Sequence, residues 1–302
     1  MLNRRVFLAG AALLAAAAPA SAADDWRKTY PKLSMGVVTS ENEADRIVRY
    51  QPVVAYLEKT LGVPVEFRNA TDYAGVIEAL NAGKLQVAGL GPAAYAQAWI
   101  VSGGKVEPLV GQIASDGTFG YHSVVVVRAD SPFQKIEDLR GKKFAFADPN
   151  STSGFQAPAF FLKEAGIDPE SYFGATAFSG SHENSVIALL NDTFDGAATW
   201  WNSDERSNFT RMSEKGMIPK DSVRVIWKSP LLPSSPVTVR SDLPAELKQL
   251  VAKAYLEMPT ADPVAWKALT DGKMKGYRAV THAEYEPIVR MIKENQRARR
   301  GS

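Results

Sequence analysis

The sequence predicts an α/β protein made of two α/β units, each with its own sheet, joined by two crossings of the chain. Three observations support this fold. Strand-like and helix-like segments alternate along most of the chain, the alternation restarts after a long β-forming run at 121–128, and the about 280 residues that follow position 22 suit one large or two medium domains. We therefore expect a cleft between two units.

The first unit opens with three repeats of a strand followed by a helix. We predict strands at 33–38, 63–67 and 85–90, and helices at 45–61, 73–82 and 92–101. The strand segments are short and apolar, whereas the helical segments place apolar residues three and four apart. Repeated β–α winding favours a parallel sheet with helices on its faces.

The run 121–128 contains four consecutive valines and predicts a strand long enough to pass from one unit into the other. Beyond it we predict strands at 143–147, 175–178, 194–199, 223–227 and 236–240, and helices at 155–165, 183–190, 244–256 and 285–296.

The chain should cross between the units near 117–126 and again near 227–236. We therefore expect residues 23–121 and 236–302 to form the first unit and residues 122–235 the second. Ligands of such sheets bind beyond the carboxyl ends of the strands, where the loops of both units face each other.

Residues 1–22 have the pattern of a secretory signal peptide. Arg4 and Arg5 precede an apolar run at 9–18, and small residues at 20–22 offer a cleavage site. Paired arginines resemble a twin-arginine export signal, although ordinary signals also contain them. The apolar run is too short to span a bilayer. We expect the mature protein to be soluble and outside the cytoplasm.

Composition excludes several functional classes. Removing residues 1–22 takes away two basic residues and no acidic one, so 35 basic residues become 33 against 33 acidic ones. A balanced chain argues against a nucleic-acid partner, and the basic cluster at 297–300 fits a solvated tail. The absence of cysteine excludes disulfides and thiol nucleophiles, and His122, His182 and His282 are too few for a multi-histidine metal site. We predict no cofactor.

The segment 148–155 is the best candidate for a ligand site. It ends a predicted strand and begins a helix with three hydroxyl side chains in a row, Ser151, Thr152 and Ser153. A helix start leaves backbone N–H groups unpaired and presents the positive end of the helix dipole, which suits a phosphate-like oxyanion. The alternative is that Ser151 or Ser153 only caps the helix.

Three separated motifs carry a family resemblance. They are DPNSTSGF at 148–155, GSHEN at 180–184 and IWKSPLLP at 226–233, and together they resemble the phosphonate-binding periplasmic components of ATP-binding-cassette (ABC) importers. The likeness extends to 71–75 and 116–121 in the first unit. It implies the type II periplasmic binding protein fold, a location in the periplasm, a permease partner in the inner membrane and a monomeric state. The family includes phosphite and phosphate binders, so the resemblance implies a class of ligand rather than one compound.

The resemblance also implies roles for individual residues. In the family, the hydroxyls and amides of the turn at 151–153 hold the phosphonate oxygens, a histidine at the position of His182 contacts the same group, and tyrosines at the positions of Tyr73 and Tyr121 close over it. A protonated His182 would add charge, while a neutral one would donate one hydrogen bond. The alternatives are that His182 caps or packs and that the tyrosines belong to the core.

Two departures from the family concern the ligand's organic substituent. Relatives that bind aminoalkyl phosphonates hold the ammonium with two carboxylates, and the matching positions here are Asn202 and Ser235. Burial of an unpaired ammonium is costly. We therefore expect weaker selection for 2-aminoethylphosphonate, unless Asp204 or Glu205 restores the charge through a rearranged loop.

Three aromatic residues near these positions allow more than one role. Trp200 and Trp201 would wall off the cleft or stack on a cationic ligand group, or else one would pack in the core of the second unit while the other covers the cleft. His122 either reaches the cleft or only makes a local hydrogen bond.

Other functions remain open at this stage. A secreted hydrolase would use Ser151 or Ser153 with His182 and Asp195, although the chain lacks the Gly-x-Ser-x-Gly motif typical of such enzymes. A binding protein for a sulfonate or another oxyanion, or one that serves a sensor, would have the same architecture. We expect a binding protein rather than an enzyme.

Overall fold

The computed structural model describes residues 25–301, with side chains up to residue 298. The predicted signal peptide at 1–22 lies outside these residues. Within the described range, no helix combines the length and the apolar character that a bilayer crossing requires.

Two six-stranded mixed sheets, flanked by α-helices, form the described part of the chain. The strands are β1 (Leu33–Val37), β2 (Val65–Phe67), β3 (Val87–Gly89), β4 (Val106–Ala114), β5 (His122–Arg128), β6 (Lys143–Phe146), β7 (Ala175–Phe178), β8 (Gly196–Ser203), β9 (Arg206–Ser207), β10 (Val223–Lys228), β11 (Pro236–Arg240) and β12 (Met274–Ala279). The helices are α1 (Trp26–Thr29), α2 (Glu43–Leu61), α3 (Tyr73–Asn81), α4 (Pro92–Val101), α5 (Ala157–Glu164), α6 (Pro169–Tyr172), α7 (His182–Leu190), α8 (Asn208–Glu214), α9 (Ala245–Ala261), α10 (Pro263–Thr270) and α11 (Glu286–Gly301).

The first sheet has the strand order β12-β4-β11-β3-β1-β2. Strands β1, β2 and β3 are parallel, as the β–α repeats predict. The prediction of a parallel sheet is wrong for the other half, because β11 runs antiparallel to β3 and β4, and β12 runs antiparallel to β4. The physical reason is that β11 returns from the second sheet and enters the first in the opposite direction.

The second sheet has the order β10-β5-β8-β6-β7, with β9 paired to β8. Its parallel part consists of β6 with β7 and β8, whereas β5 is antiparallel to β8 and β10. The carboxyl ends of β6 and β8 therefore lie at the same edge of the sheet. We call the part built on the first sheet the first lobe and the part built on the second sheet the second lobe.

The two crossing segments pair with each other. The N–H of Tyr121 donates to the carbonyl of Leu232, and the N–H of Leu232 donates back to the carbonyl of Tyr121, at 3.0 and 2.8 Å. Gly120 makes this approach possible, since its φ is +156° and a Cβ there would lie 2.4 Å from the Leu232 carbonyl oxygen. The chain thus passes between the lobes as a paired two-stranded connection.

A buried apolar cluster joins the two lobes next to this connection. It includes Ala93 of α4, Ala157 of α5, Leu232 of the crossing segment and Ile288 and Ile292 of α11. Helix α11 contacts α4 of the first lobe and α5 of the second. Helix α11 therefore touches both lobes.

Candidate ligand site between the lobes

A cavity of about 200 Å³ lies between the lobes, and every residue predicted from the sequence to bind ligand lines it. These residues are Tyr73, Tyr121, Ser151, Thr152, Ser153, His182, Asn202 and Ser235. They come from helix α3, both crossing segments, the turn after β6, helix α7 and strand β8. The fold thus brings together side chains that lie far apart in the sequence, although their contact with a ligand stays a prediction.

The hydroxyl turn begins helix α5 with one wide turn at Thr152–Gln156. The N–H of Gln156 reaches back five residues to the Ser151 carbonyl at 2.9 Å, and the N–H of Gly154 donates to Ser151 Oγ at 3.0 Å. The capping interpretation is therefore right for Ser151, and the same hydroxyl also faces the cavity. Position 154 requires glycine, because a Cβ would lie 2.5 Å from Ala147 Cβ and 2.9 Å from His182 Cε1.

His182 lies beside the hydroxyl turn and is buried. Its Nε2 is 3.0 Å from Ser151 Oγ, and its Nδ1 is 3.1 Å from Thr199 Oγ1 on β8. Burial lowers the pKa of His182 to about 3, and the positive charge of Arg211 lowers it further in the same direction. The imidazole is therefore neutral at physiological pH, so it offers hydrogen bonding rather than charge.

Thr152 connects the turn to the first lobe. Its hydroxyl oxygen accepts a hydrogen bond from the N–H of Ala93 at 2.8 Å. Helix α4 begins next to Ala93, and its cap residue Gly91 has no side chain that could accept a hydrogen bond from the first N–H groups. Ser153 is fixed from the other side, because its carbonyl accepts a hydrogen bond from the Ser123 hydroxyl at 2.7 Å.

Tyr73 and Tyr121 are buried and place their rings in the cavity wall. Burial raises the pKa of Tyr121 to about 12, against hydrogen bonding with Thr152 and Ser153, which lowers it. Burial likewise raises the pKa of Tyr73, and hydrogen bonding with Ser151 opposes that shift. Both phenols therefore stay protonated and are available as neutral donors next to the hydroxyl turn.

Asn202 lines the cavity but is already held by two neighbours. Its Oδ1 accepts from Arg206 Nη1 at 2.8 Å, and its Nδ2 donates to the Gly120 carbonyl at 3.3 Å. Asp204 and Glu205 form the exposed turn between β8 and β9 and do not line the cavity. Neither restores the carboxylates that the resemblance places near an ammonium. Arg206 lines the cavity instead.

The two tryptophans divide their roles. Trp200 lines the cavity, and the guanidinium carbons of Arg206 and Arg211 lie 5.3 and 5.2 Å from its ring centroid. Trp201 packs against the second-lobe core with Lys228 over its ring. Trp201 is therefore a packing tryptophan and Trp200 the one at the cavity, while a role of Trp200 in covering the cleft stays a prediction. His122 makes a local contact, with Nδ1 2.8 Å from the Ser229 carbonyl oxygen, and does not line the cavity.

The charged residues of the cavity wall are Glu41, Arg49, Arg206 and Arg211, and no sequence motif pointed to them. Glu41 and Arg49 form a buried pair, with Arg49 Nε 2.9 Å from Glu41 Oε1. Arg206 follows the Asp204–Glu205 turn by one residue, and Arg211 is in α8, a helix that the sequence pattern did not reveal. Arg206 and Arg211 reach the cavity wall because β9 and α8 lie at the cleft.

A network of charged side chains bridges the lobes at the edge of the cavity. Lys215 Nζ lies 2.6 Å from Asp45, 3.2 Å from Glu41 and 3.5 Å from Glu183, and the N–H of Asn42 donates to Glu183 at 2.9 Å. The oxygens of the three carboxylates lie within 4.8 Å of one another, a spacing that suits a metal ion. Lys215 contacts all three and shares their neutralisation with Arg49, which pairs with Glu41, and with Arg211, which lies near Glu41 and Glu183.

The geometry does not assemble a hydrolase triad. Ser151 and His182 are within hydrogen-bonding distance, but the second nitrogen of His182 faces Thr199 rather than a carboxylate. Asp195 accepts a hydrogen bond from the N–H of Lys143, at the amino-terminal end of the parallel strands β6 and β8. Ser151 lies beyond the opposite end, so Asp195 cannot orient His182.

Comparisons with known proteins agree with the geometry. Residues 35–285 match the family described as "ABC transporter, phosphonate, periplasmic substrate-binding protein". The chain is 32% identical over 273 residues to the phosphate-import protein PhnD of Mycolicibacterium smegmatis, covering 85% of this chain and 83% of that protein. It is 30% identical over 228 residues to the phosphonates-binding periplasmic protein of Escherichia coli, covering 74% of this chain and 65% of that protein.

Solved structures have the same fold. A binding protein component of an ABC phosphonate transporter from Pseudomonas aeruginosa is 26% identical with a TM-score of 0.76, covering 88% of this chain and 87% of that one. PhnD1 of Prochlorococcus marinus, solved with methylphosphonate, is 20% identical with a TM-score of 0.72, covering 88% of this chain and 98% of that one. The two-lobe type II fold predicted from the sequence is confirmed.

Proposed function

This chain belongs to the family of periplasmic substrate-binding proteins of phosphonate ABC transporters, and we propose that it binds a small phosphonate, or a related phosphorus oxyanion, in the cavity between its lobes. The family is a binding component of a transporter and not an enzyme. The observation that carries the proposal is the convergence of the hydroxyl turn, His182, Tyr73 and Tyr121 on one cavity.

The phosphonate group would be held mainly by neutral donors. Its oxygens would accept hydrogen bonds from the hydroxyls of Ser151 and Ser153 and from N–H groups at the start of the turn. His182, neutral through burial, and the phenol of Tyr73 would complete the set. Hydrogen bonds to a charged acceptor are stronger than neutral ones, so several such donors offset the cost of desolvating the anion.

Binding would be coupled to closure of the two lobes. The second lobe supplies the hydroxyl turn and His182, whereas the first lobe supplies Tyr73 and the Ala93 N–H that Thr152 accepts. A ligand favours closure only through groups that it contacts better in the closed form, and Tyr73 is such a group. The paired crossing segments would act as the hinge.

The partner and the location follow from the same proposal. The closed protein would deliver its ligand to an ABC permease in the inner membrane, after export to the periplasm through the signal peptide at 1–22. We propose that it acts as a monomer. Relatives whose names refer to phosphate import and to phosphonates support the class of ligand, and the hydroxyl turn accepts either oxyanion.

Calorimetry with the purified protein tests the proposal. We expect methylphosphonate, phosphite or phosphate to bind with a micromolar or lower Kd, and methanesulfonate to bind at least 100-fold more weakly because it has fewer charges for the same donors. Ser151→Ala should weaken binding of the preferred anion at least tenfold. If no phosphorus oxyanion binds more tightly than millimolar, the proposal fails.

A matched control separates capping from ligand contact. Ser181 caps α7 by accepting from the N–H of Asn184 at 3.1 Å, as Ser151 caps its own turn, but Ser181 does not line the cavity. Ser181→Ala should therefore cost stability with no loss of affinity. Equal losses of affinity in Ser151→Ala and Ser181→Ala would mean that Ser151 acts only through the fold.

A further inference from the structure

The cavity wall carries more positive than negative charge. Three arginines and one carboxylate line it. Glu41 and Arg49 neutralise each other, and Arg49 also lies 3.3 Å from Asp271. Arg211 Nη2 lies within ion-pair distance of Glu41 and Glu183, so Arg206 is the cavity cation that has no carboxylate partner among the described residues.

Among the described residues, Arg206 has only uncharged hydrogen-bond partners. Its Nη1 donates to Asn202 Oδ1 at 2.8 Å and its Nε donates to the Thr270 carbonyl at 3.4 Å. Within residues 25–298, no carboxylate oxygen lies within 4.0 Å of its guanidinium. Burial lowers the pKa of Arg206 to about 10, and the negative charge of Asp271 opposes this only partly. The guanidinium is thus a half-buried cation without an ion-pair partner among the described residues.

Arg211 is 8% exposed and incompletely satisfied. Its Nε and Nη2 have no hydrogen-bond partner among the described residues. The carboxylates of Glu41 and Glu183 lie 3.8 and 3.9 Å from Nη2, beyond hydrogen-bonding distance. Trp200 lies against both arginines, which restricts their side chains.

The two arginines lie toward different parts of the cavity. Arg211 Nη2 lies 3.9 Å from Glu183, the residue that follows His182, whereas Arg206 Nε lies 3.4 Å from the carbonyl oxygen of Thr270 in the first lobe. A ligand held at the hydroxyl turn would therefore direct its substituent past Arg211 toward Arg206.

Resting on the proposed function, we propose that the ligand is a phosphonate whose organic substituent ends in a carboxylate, and that Arg206 binds this carboxylate. A planar carboxylate matches the guanidinium fork and supplies the missing negative charge. The neutral side chain of Asn202 leaves the positive charge of Arg206 available to a ligand, because a carboxylate at position 202 would form an ion pair with Arg206. An ammonium substituent would instead meet a like charge.

The volume of the cavity agrees with a ligand larger than a bare oxyanion. About 200 Å³ corresponds to roughly seven water molecules at ~30 Å³ each. A methylphosphonate ion has one phosphorus, three oxygen and one carbon atom. Space therefore remains for a short carboxyalkyl chain.

Calorimetry with four phosphonates tests the inference. The series is phosphonoacetate, 2-carboxyethylphosphonate, n-propylphosphonate and 2-aminoethylphosphonate. We expect the better carboxylate to bind at least tenfold more tightly than n-propylphosphonate and at least 100-fold more tightly than the amine. Equal affinity for carboxylate and propyl ligands overturns the inference and leaves the proposed function standing, whereas no binding of any phosphonate overturns the proposed function itself.

Substitutions at Arg206 assign the preference to this side chain. Arg206→Gln should reduce the ratio of the carboxylate and propyl affinities toward one, and Arg206→Lys should retain part of it. Lys228→Gln is the matched control, since Lys228 is a second-lobe cation outside the cavity and the ratio should not change. A ratio preserved in Arg206→Gln would overturn the assignment. If that variant does not fold, the wild-type series still decides on the ligand class.

Discussion

The hydroxyl of Thr152 in the second lobe accepts a hydrogen bond from the backbone N–H of Ala93 in the first lobe, at 2.8 Å. Helix α4 begins at Pro92, and its cap residue Gly91 has no side chain to accept from the first N–H groups. Thr152 thus provides from the opposite lobe the acceptor that a serine or aspartate usually provides locally. The turn predicted to hold the anion also holds the two lobes together.

Replacing Thr152 with valine should weaken ligand binding. Valine keeps the shape of threonine but leaves the Ala93 N–H without its acceptor, and one capping hydrogen bond contributes about 1 kcal/mol. Because the bond forms only when the lobes meet, the loss should fall on the closed form and weaken binding about fivefold, as calorimetry would show. Thr152→Ser keeps the hydroxyl and should bind almost normally. Wild-type affinity in Thr152→Val would mean that the contact does not support closure.

Removing either phenol from the cavity should weaken binding of the oxyanion without unfolding the protein. Tyr73→Phe and Tyr121→Phe each delete a neutral donor beside the hydroxyl turn, and we expect about a tenfold loss of affinity, equal to about 1.4 kcal/mol. Tyr56→Phe is the control, because its hydroxyl donates to the Ala254 carbonyl at 2.8 Å, outside the cavity. It should lower stability only. Unchanged affinity in both cavity variants would assign the tyrosines to packing.

The predictability of the fold differed from element to element for physical reasons. Helix α4 and strand β11 begin and end where the sequence pattern places them, because proline and apolar periodicity mark their limits. Strand β4 was not predicted, since Pro108 and Gly111 interrupt its pattern and its pairing with β11 and β12 stabilises it. Local pattern thus fails where distant strands provide the stabilisation.

The candidate site shows the same division. The hydroxyl turn could be found because its three residues are contiguous, and His182 because it lies within a family motif. Arg206 and Arg211 carry no local signal, since they reach the cavity through the packing of β9 on β8 and of α8 on α7 and β8. Thr199, which fixes His182, lies within an apolar strand and looks like a core residue in the sequence.

Neutralising Lys215 should weaken ligand binding in a salt-dependent way. Arg49 and Arg211 remain beside Glu41 and Glu183, but Lys215→Met removes the cation nearest Glu183 and the one ion-pair partner of Asp45 among the described residues, so the repulsion among these three carboxylates grows. Their repulsion opposes closure, so we expect affinity to fall about tenfold at low salt and to recover in part at high salt through screening. Calorimetry at two ionic strengths measures this.

Lys220→Met is the control for Lys215→Met. Lys220 is exposed in the same lobe and has no ion-pair partner within residues 25–298. Its replacement changes net charge equally but should leave affinity and its salt dependence unchanged. If Lys215→Met and Lys220→Met behave alike, net charge rather than the bridging contact determines the effect.

Acidification should destabilise the ligand-free protein through His182 before most carboxylates titrate. Burial lowers the pKa of His182 to about 3 in the folded protein, whereas the unfolded chain has a pKa near 6.5. Between these values the unfolded state binds the proton and the folded state does not, so stability is complete above pH 6.5 and declines as the pH falls. The expected slope is about 1.4 kcal/mol per pH unit.

Urea unfolding between pH 7 and pH 4.5 measures this slope. This pH window avoids the titration of Glu41 and Asp45, whose pKa values are lowered in the folded protein, so their protonation reduces stability only at more acidic pH. Burial raises the pKa of Asp148, so its protonation increases stability at the acidic limit of the window. His182→Gln should remove the slope, because glutamine cannot take up the proton, and His282→Gln should retain it. An imidazole of His182 that titrates near pH 6 in the folded protein by NMR would contradict the neutral, buried state on which the proposed oxyanion site depends.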